Sequence, residues 1–344
     1  MHQPGGHAPA GRRPGRRRRQ SRSRRAARGG EALRRHAGGD AAAARRRSRR
    51  RVAPRTVSTA TLAAPTADAL AREHPEFRGW LDLLAAVREE ASSPTWVDAT
   101  RDVAATAPLL AGTTLTIDPG LAAAWLRRLF DVAAASAPAV AGAADRLDPL
   151  AALEVAIALD TPRIDTLADA AGLPREPLRA VLPLAAYPWL ERCGAQVTAG
   201  GLDHAQAWCP ICGAWAALAE ARGLEGARRL RCGRCGGDWR AEWLRCAFCG
   251  TGEHARLRSL VSETTGQARR AEGCAACGAW MKTITTLGAA STGELRLLDL
   301  ATVDLDVAAL GRGWKRPAGL GARLDVRVIA RAGAAHPRRR WWPR

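Results

Sequence analysis

Eight of the nine cysteines of this chain form four pairs with the spacing C-x2-C. The pairs are Cys209/Cys212, Cys232/Cys235, Cys246/Cys249 and Cys274/Cys277. A glycine follows the second cysteine of every pair directly. In a tetrahedral thiolate site the chain must turn so that both sulfurs of a pair point at one metal, and glycine adopts the positive φ of such a turn without strain. The pattern therefore predicts four metal-binding knuckles.

The lengths of the spacers predict how the pairs combine. They contain 19, 10 and 24 residues in chain order, and loops of 19 and 24 residues suit two separate four-cysteine sites. The first site would contain Cys209, Cys212, Cys232 and Cys235, and the second Cys246, Cys249, Cys274 and Cys277. An interleaved arrangement, which joins the first pair to the third and the second to the fourth, is the alternative.

Thiol–disulfide exchange is the competing chemistry for a C-x2-C pair, but a single pair with a lowered thiol pKa is enough for it. Four such pairs within about 70 residues favour metal instead. The regular pairing, together with the lack of a recognisable secretory signal, disfavours disulfides. Zinc and iron both bind four thiolates, so ligand type does not distinguish a structural zinc site from a rubredoxin-like iron site.

The formal net charge of +20 is concentrated at the two ends of the chain. Residues 1–55 carry 19 arginines and almost no large apolar side chain, which predicts a disordered tail that binds nucleic acid only non-specifically, through phosphates. Residues 311–344 are predicted to form a basic C-terminal tail. Residues 56–310 carry 24 basic and 30 acidic side chains, so the body itself is mildly acidic.

Residues 60–198 show the apolar periodicity of a mainly α-helical domain. Asp118-Pro119 and Asp148-Pro149 are predicted to begin two of its helices as N-cap and first helical residue. Predicted buried stripes comprise Phe77, Trp80, Leu81, Leu84 and Val87 on one helix, and Leu121, Trp125, Leu129 and Val132 on another. Cys193, which lacks a partner pair, is predicted to be a packed core thiol.

Residues 164–182 resemble a helix-turn-helix, the best sequence support for DNA binding. Arg175 and Arg179 are the basic side chains in it that would contact a base or a phosphate. Pro174 and Pro177 crowd the start of the second helix, so an ordinary helical hairpin is the favoured interpretation.

Residues 203–244 and 245–310 are predicted to form two small four-cysteine metal modules, so the fold class is α+β. His204 and His254 flank this region and are expected to be surface histidines, because eight thiolates are already available as ligands. No stretch approaches the roughly 20 apolar residues that a membrane-spanning helix requires.

Four segments of the sequence resemble the FdhE family of formate dehydrogenase accessory proteins. They are CPICG at 209–213, LRCGRCGGDWRAEWLRCAFCG at 230–250, RAEGCAACGAWMKT at 270–283 and DLATVDLD at 299–306. The resemblance covers roughly residues 60–310 and implies a helical domain followed by two rubredoxin-like modules. It also implies two iron ions held by the eight paired cysteines, and a cytoplasmic protein whose partner is the catalytic subunit of an exported formate dehydrogenase.

No catalytic constellation is recognisable in the sequence, because it contains neither a Gly-rich phosphate loop in context nor a serine or unpaired cysteine with a base. The predicted function is therefore a non-enzymatic maturation factor that binds the catalytic subunit of formate dehydrogenase. The alternative is a metal-ribbon regulator that binds nucleic acid through the 164–182 hairpin and the arginine-rich tail.

Overall fold

A computed structural model describes residues 63–96, 104–197, 204–263 and 265–331. The predicted disordered tail, residues 1–55, lies outside these ranges. The helices are α1 (Ala67–Glu73), α2 (Arg78–Ala91), α3 (Pro119–Ala134), α4 (Pro149–Ala158), α5 (Thr161–Ala170), α6 (Arg175–Val181), α7 (Tyr187–Gln196), α8 (Thr292–Leu300) and α9 (Val303–Gly311). The strands are β1 (Thr114–Ile117), β2 (Leu218–Arg222), β3 (Ala227–Arg231), β4 (Asp238–Arg240), β5 (Leu257–Ser262), β6 (Gly266–Cys274), β7 (Trp280–Thr286) and β8 (Arg327–Ala330). The predicted α+β class is confirmed.

Two aspartates begin α3 and α4 as the sequence predicts. Asp118 accepts a hydrogen bond from the Gly120 backbone N–H at 2.7 Å, and Asp148 accepts one from the Ala151 N–H at 2.8 Å. Proline occupies the first helical position in both helices, where the missing N–H has no intrahelical partner to lose. These caps fix where the two central helices of the N-terminal part start.

The predicted apolar stripes are wrong at one residue in each of two helices. Trp80 of α2 is 44% exposed and Leu121 of α3 is 48% exposed. The buried side of α2 includes Leu83 instead, since this helix packs against α3, α7 and α8. Periodicity alone left the centre of each stripe uncertain, and the neighbouring helices determine it.

A six-stranded sheet occupies the C-terminal half, with the strand order β4-β3-β2-β7-β6-β5. Strands β2, β3 and β4 pair antiparallel, as do β5, β6 and β7. Strands β2 and β7 pair in parallel at the centre and join the two three-stranded halves. Each half has the same order along the chain, a knuckle, two strands, a second knuckle and a third strand. The two four-cysteine segments are therefore tandem ribbons on one continuous sheet.

Residues 311–331, which the sequence assigned to a basic tail, lie along the body of the protein. Strand β8 pairs in parallel with β1 and forms a second, two-stranded sheet beside α4. The backbone N–H groups of Gly321 and Ala322 donate to the Gly213 carbonyl at 2.8 and 3.0 Å. This segment thus connects the helical part to the first ribbon.

One large apolar core runs from the helices into the first ribbon. It contains Trp96, Trp125 and Trp189 together with the fully buried Cys193, in agreement with the prediction of a packed core thiol. The same cluster includes the four cysteines of the first ribbon. Those cysteines are therefore part of the main core.

Candidate metal centres

Site 1 consists of Cys209, Cys212, Cys232 and Cys235, whose sulfurs all lie within 4.8 Å of one another. The Sγ atoms of Cys209 and Cys235 are 3.5 Å apart, as are those of Cys212 and Cys232. No side chain of the four is more than 2% exposed. The first knuckle precedes β2 and the second connects β3 to β4, so the β2–β3 hairpin brings the two pairs together.

Site 2 consists of Cys246, Cys249, Cys274 and Cys277, whose sulfurs also lie within 4.8 Å of one another. The Sγ atoms of Cys246 and Cys277 are 3.8 Å apart, and those of Cys249 and Cys274 are 3.7 Å apart. Cys249 and Cys277 are exposed. The structure thus groups the pairs as the loop lengths favoured, and not in the interleaved alternative.

All four knuckles have the same backbone turn. The glycine after each pair donates its N–H to the carbonyl of the first cysteine, at 2.8 to 3.0 Å. The φ angles of Gly213, Gly236, Gly250 and Gly278 are 71°, 76°, 74° and 71°. A side chain in this left-handed region is strained, which explains why glycine follows every pair.

The sulfur geometry fits a tetrahedral metal. Metal–sulfur bonds of about 2.3 Å place adjacent sulfurs about 3.8 Å apart in a tetrahedron, close to the separations in both sites. Burial raises the pKa of the Cys209 thiol well above its usual value, so buried thiolates at site 1 need a cation to stabilise their charge. The two groups can hold two metal ions.

Two arginines hold the second knuckle of site 1, and sequence reasoning missed both. Arg234, inside the knuckle, donates to the Ala156 carbonyl at the end of α4 at 2.7 Å. Arg296 of α8 donates to the Gly233 carbonyl at 2.9 Å and pairs with Glu191 of α7 at 2.5 Å. Burial raises the pKa of Glu191, an effect that this guanidinium opposes. An arginine between two paired cysteines was the only sequence signal of this contact.

Site 2 borders two clefts that lie on either side of its first knuckle. One, of about 960 Å³, lies between that knuckle and β4, and Cys246 and Cys249 line it. The other, of about 510 Å³, is lined by both Cys246 and Cys274. Cys235 of site 1 also lines a cleft, of about 450 Å³, but the four cysteines of site 1 are buried, whereas two of site 2 are exposed.

The histidines near the ribbons take no part in either four-cysteine group. His204 is partly buried, where its Nε2 lies 2.7 Å from the Trp208 carbonyl, and burial lowers its pKa. His254 is exposed. In the described ranges, the residues placed to hold a metal are thus the eight cysteines.

Of three tryptophans in or just after the ribbon strands, two are buried and are not available to a partner. Trp239 and Trp280 are 4% and 2% exposed, because Trp239 packs in the main core and Trp280 packs against Leu305 and Ala309 of α9. Trp243 is 41% exposed, since it lies just beyond the end of β4.

The helix-turn-helix-like segment folds as α5 and α6, and its two candidate contact residues are engaged within the hairpin. Arg175 binds Asp169 through two hydrogen bonds of 2.8 and 2.5 Å. Arg179 binds Asp165 in the same way, at 2.6 and 2.5 Å. The hydrogen bonds from Arg179 lower the pKa of Asp165. Both guanidinium groups thus stabilise the hairpin.

Fold and sites together define a helical domain fused to tandem four-cysteine ribbons. No family model matches the chain. It is 36% identical over 116 residues to the protein FdhE homolog of Stutzerimonas stutzeri (strain A1501), a match that covers 33% of this chain and 37% of that protein. The crystal structure of the FdhE protein from Pseudomonas aeruginosa is 21% identical with a TM-score of 0.49, and covers 76% of this chain and 98% of the other. The resemblance to the FdhE family is confirmed, over little more than a third of the curated relative's length.

Proposed function

We propose that this protein is an accessory factor that binds the catalytic subunit of a formate dehydrogenase in the cytoplasm and supports its assembly. The sequence similarity to an FdhE homolog carries this proposal. Two four-cysteine sites in the same chain support it, because the family resemblance implies such sites. No helix in the described part is long and apolar enough to cross a membrane.

The eight cysteines are the proposed ligands of two metal ions, one per site. Iron is the metal that the family resemblance favours, and zinc is the alternative. Iron at four thiolates supplies a one-electron redox couple, whereas zinc supplies structure without redox chemistry. In either case the chain contributes eight thiolates, four matching backbone turns, and the β2–β3 and β5–β6 hairpins that bring each set of four sulfurs together.

A non-enzymatic role agrees with how the buried ionic groups of the ribbons are used. Glu220 is fully buried and accepts a hydrogen bond from Arg231 at 2.6 Å. Lys282, also buried, donates to Asp306 at 2.7 Å and so ties β7 to α9. These groups connect elements of the fold. The nucleic-acid alternative has no matching support, because the hairpin arginines are paired with aspartates.

Direct binding to the purified catalytic subunit tests the proposal. Isothermal titration calorimetry with the full metal-loaded chain should show a saturable complex. Cys277→Ala should weaken it, because this ligand lies at the exposed site. Cys193→Ala is the matched control, since it changes a cysteine outside both sites. Absence of a complex, or a deletion strain with normal formate oxidation, contradicts the proposal.

A further inference from the structure

The cleft of about 510 Å³ beside site 2 combines apolar and basic side chains. Its apolar lining includes Trp243, Leu244, Phe248, Leu257 and Met281. Its charged side chains outside the metal site are Arg228, Arg245, Arg258, Arg270 and the single carboxylate of Glu272. Cys246 and Cys274 of site 2 also line it, and four thiolates around a divalent ion carry a net charge of about −2, which does not cancel the four arginines. The lining therefore has an excess of positive charge around an apolar floor.

Most of the charged groups in the cleft are held in place. Glu272 accepts from Arg228 at 2.8 Å and from Arg270 at 2.9 Å, so one carboxylate serves two guanidinium groups. Arg258 donates to the backbone carbonyls of Ala255 and Leu257, and no carboxylate of the described residues lies within ion-pair distance of it. The guanidinium of Arg258 thus retains its charge for an external anion.

The apolar rim is fixed at one residue and strained at the next. The Trp243 indole N–H donates to the Gly226 carbonyl at 2.9 Å, and the guanidinium groups of Arg228 and Arg270 lie over its ring. Leu244 has a φ of 56°, which is unfavourable for leucine, and is 60% exposed. A strained, exposed leucine at the mouth of a cleft is not explained by packing of the chain itself.

We propose that this cleft binds an acidic polypeptide segment that carries bulky apolar side chains. The apolar side chain would contact Leu244 and the floor of the cleft, and the carboxylates would pair with Arg258 and its neighbours. Charge complementarity favours an acidic partner. The apolar floor favours a segment with apolar side chains over a purely polar polyanion. Because the probes are synthetic peptides, the test of this cleft does not depend on which enzyme the protein assists.

Fluorescence anisotropy with a fluorescein-labelled peptide of alternating glutamate and leucine tests this, using the full metal-loaded chain. A glutamate–serine peptide and a lysine–leucine peptide of equal length are the controls. The glutamate–leucine peptide should bind at least about tenfold more tightly than either control. Equal binding of both acidic peptides would mean charge attraction alone, as the arginine-rich residues 1–55 would give, and would overturn the proposal.

Two substitutions localise the binding. Leu244→Asn removes the apolar contact, while asparagine tolerates the positive φ better than leucine and so preserves the fold. Arg258→Glu reverses the exposed charge. Each should weaken binding of the glutamate–leucine peptide about tenfold, the loss expected of an important interface residue. Arg312→Glu, an equal charge reversal at an exposed position outside the cleft, should leave binding unchanged.

Unchanged affinity in both cleft variants would overturn the assignment. The assignment would also be overturned if the peptide does not bind but vesicles of anionic phospholipid do, and if these substitutions abolish the vesicle binding. Circular dichroism and metal content of each variant verify that it is folded and loaded.

Discussion

Sites 1 and 2 have the same four-sulfur arrangement and the same knuckle turns, yet one lies in the main core and the other at the surface. The cysteines of site 1 are at most 2% exposed, whereas Cys249 and Cys277 of site 2 are open to solvent. The knuckle sequence C-x2-C-G is common to both. The knuckle sequence therefore specifies the coordination geometry, but it does not determine how exposed each site is.

Packing by segments distant in sequence determines this exposure. A Cβ added at Gly213 would lie 2.2 Å from the Ala322 carbonyl oxygen, and one added at Gly194 of α7 would lie 1.9 Å from the Cys235 carbonyl oxygen. At Gly278 of site 2 such an atom would meet nothing within 4 Å. Site 1 is enclosed by the helical part and the C-terminal segment. At site 2 the C-terminal segment supplies a hydrogen bond from the Lys315 N–H to the Gly278 carbonyl at 2.9 Å, but Cys249 and Cys277 remain exposed.

The largest expected effect is on thermal stability, to which site 1 should contribute more than site 2. Cys232→Ser should remove one metal equivalent and lower the melting temperature by more than about 10 °C, because site 1 is part of the core. Cys277→Ser should also remove one equivalent but lower the melting temperature by less than about 3 °C. Plasma mass spectrometry and thermal denaturation measure both. Equal melting temperatures for the two variants would contradict the difference in roles.

Replacing the equivalent glycines of the two sites with alanine should have an intermediate effect on the free energy of unfolding. Gly213 and Gly278 share a φ of 71°, so alanine at either position costs about 1–2 kcal/mol of backbone strain. Gly213→Ala adds a collision with a backbone carbonyl, which should cost about 1–3 kcal/mol more. Urea denaturation of the metal-loaded variants measures the difference. Similar losses would show that the C-terminal segment does not hold the first knuckle closely.

Local pattern was enough to predict the cysteine groups, the knuckle glycines and the aspartate caps of α3 and α4. Each of these depends on residues close together in the chain or on a short hairpin. The periodicity placed helices correctly but misjudged Trp80 and Leu121, because neighbouring helices decide which side of a stripe is covered.

The parts that sequence reasoning missed depend on pairings between distant strands. The parallel pairing of β2 with β7 creates one sheet from two ribbons. Trp239 is buried in the main core and Trp280 against Leu305 and Ala309 of α9. The pairing of β8 with β1 places residues 327–330 beside the helical part, although their composition resembles a basic tail. No local signal specifies either pairing, because parallel partners far apart in the chain are selected by packing.

The smallest expected effect is on the rate of metal release, which one experiment can measure for both sites. A chromogenic chelator should remove the metals in two phases of equal amplitude, with rates that differ by at least about tenfold. The fast phase belongs to site 2, because a chelator can approach the exposed sulfurs of Cys249 and Cys277, whereas release from site 1 requires the core to open. Cys277→Ser should abolish the fast phase and leave the slow one.

Iodoacetamide added during the fast phase should label Cys249 and Cys277 while Cys209 and Cys232 stay unmodified, as mass spectrometry of peptides would show. A single release phase, or early labelling of Cys209, would mean that site 1 opens as readily as site 2, and exposure in the folded chain would then not determine how firmly each metal is held.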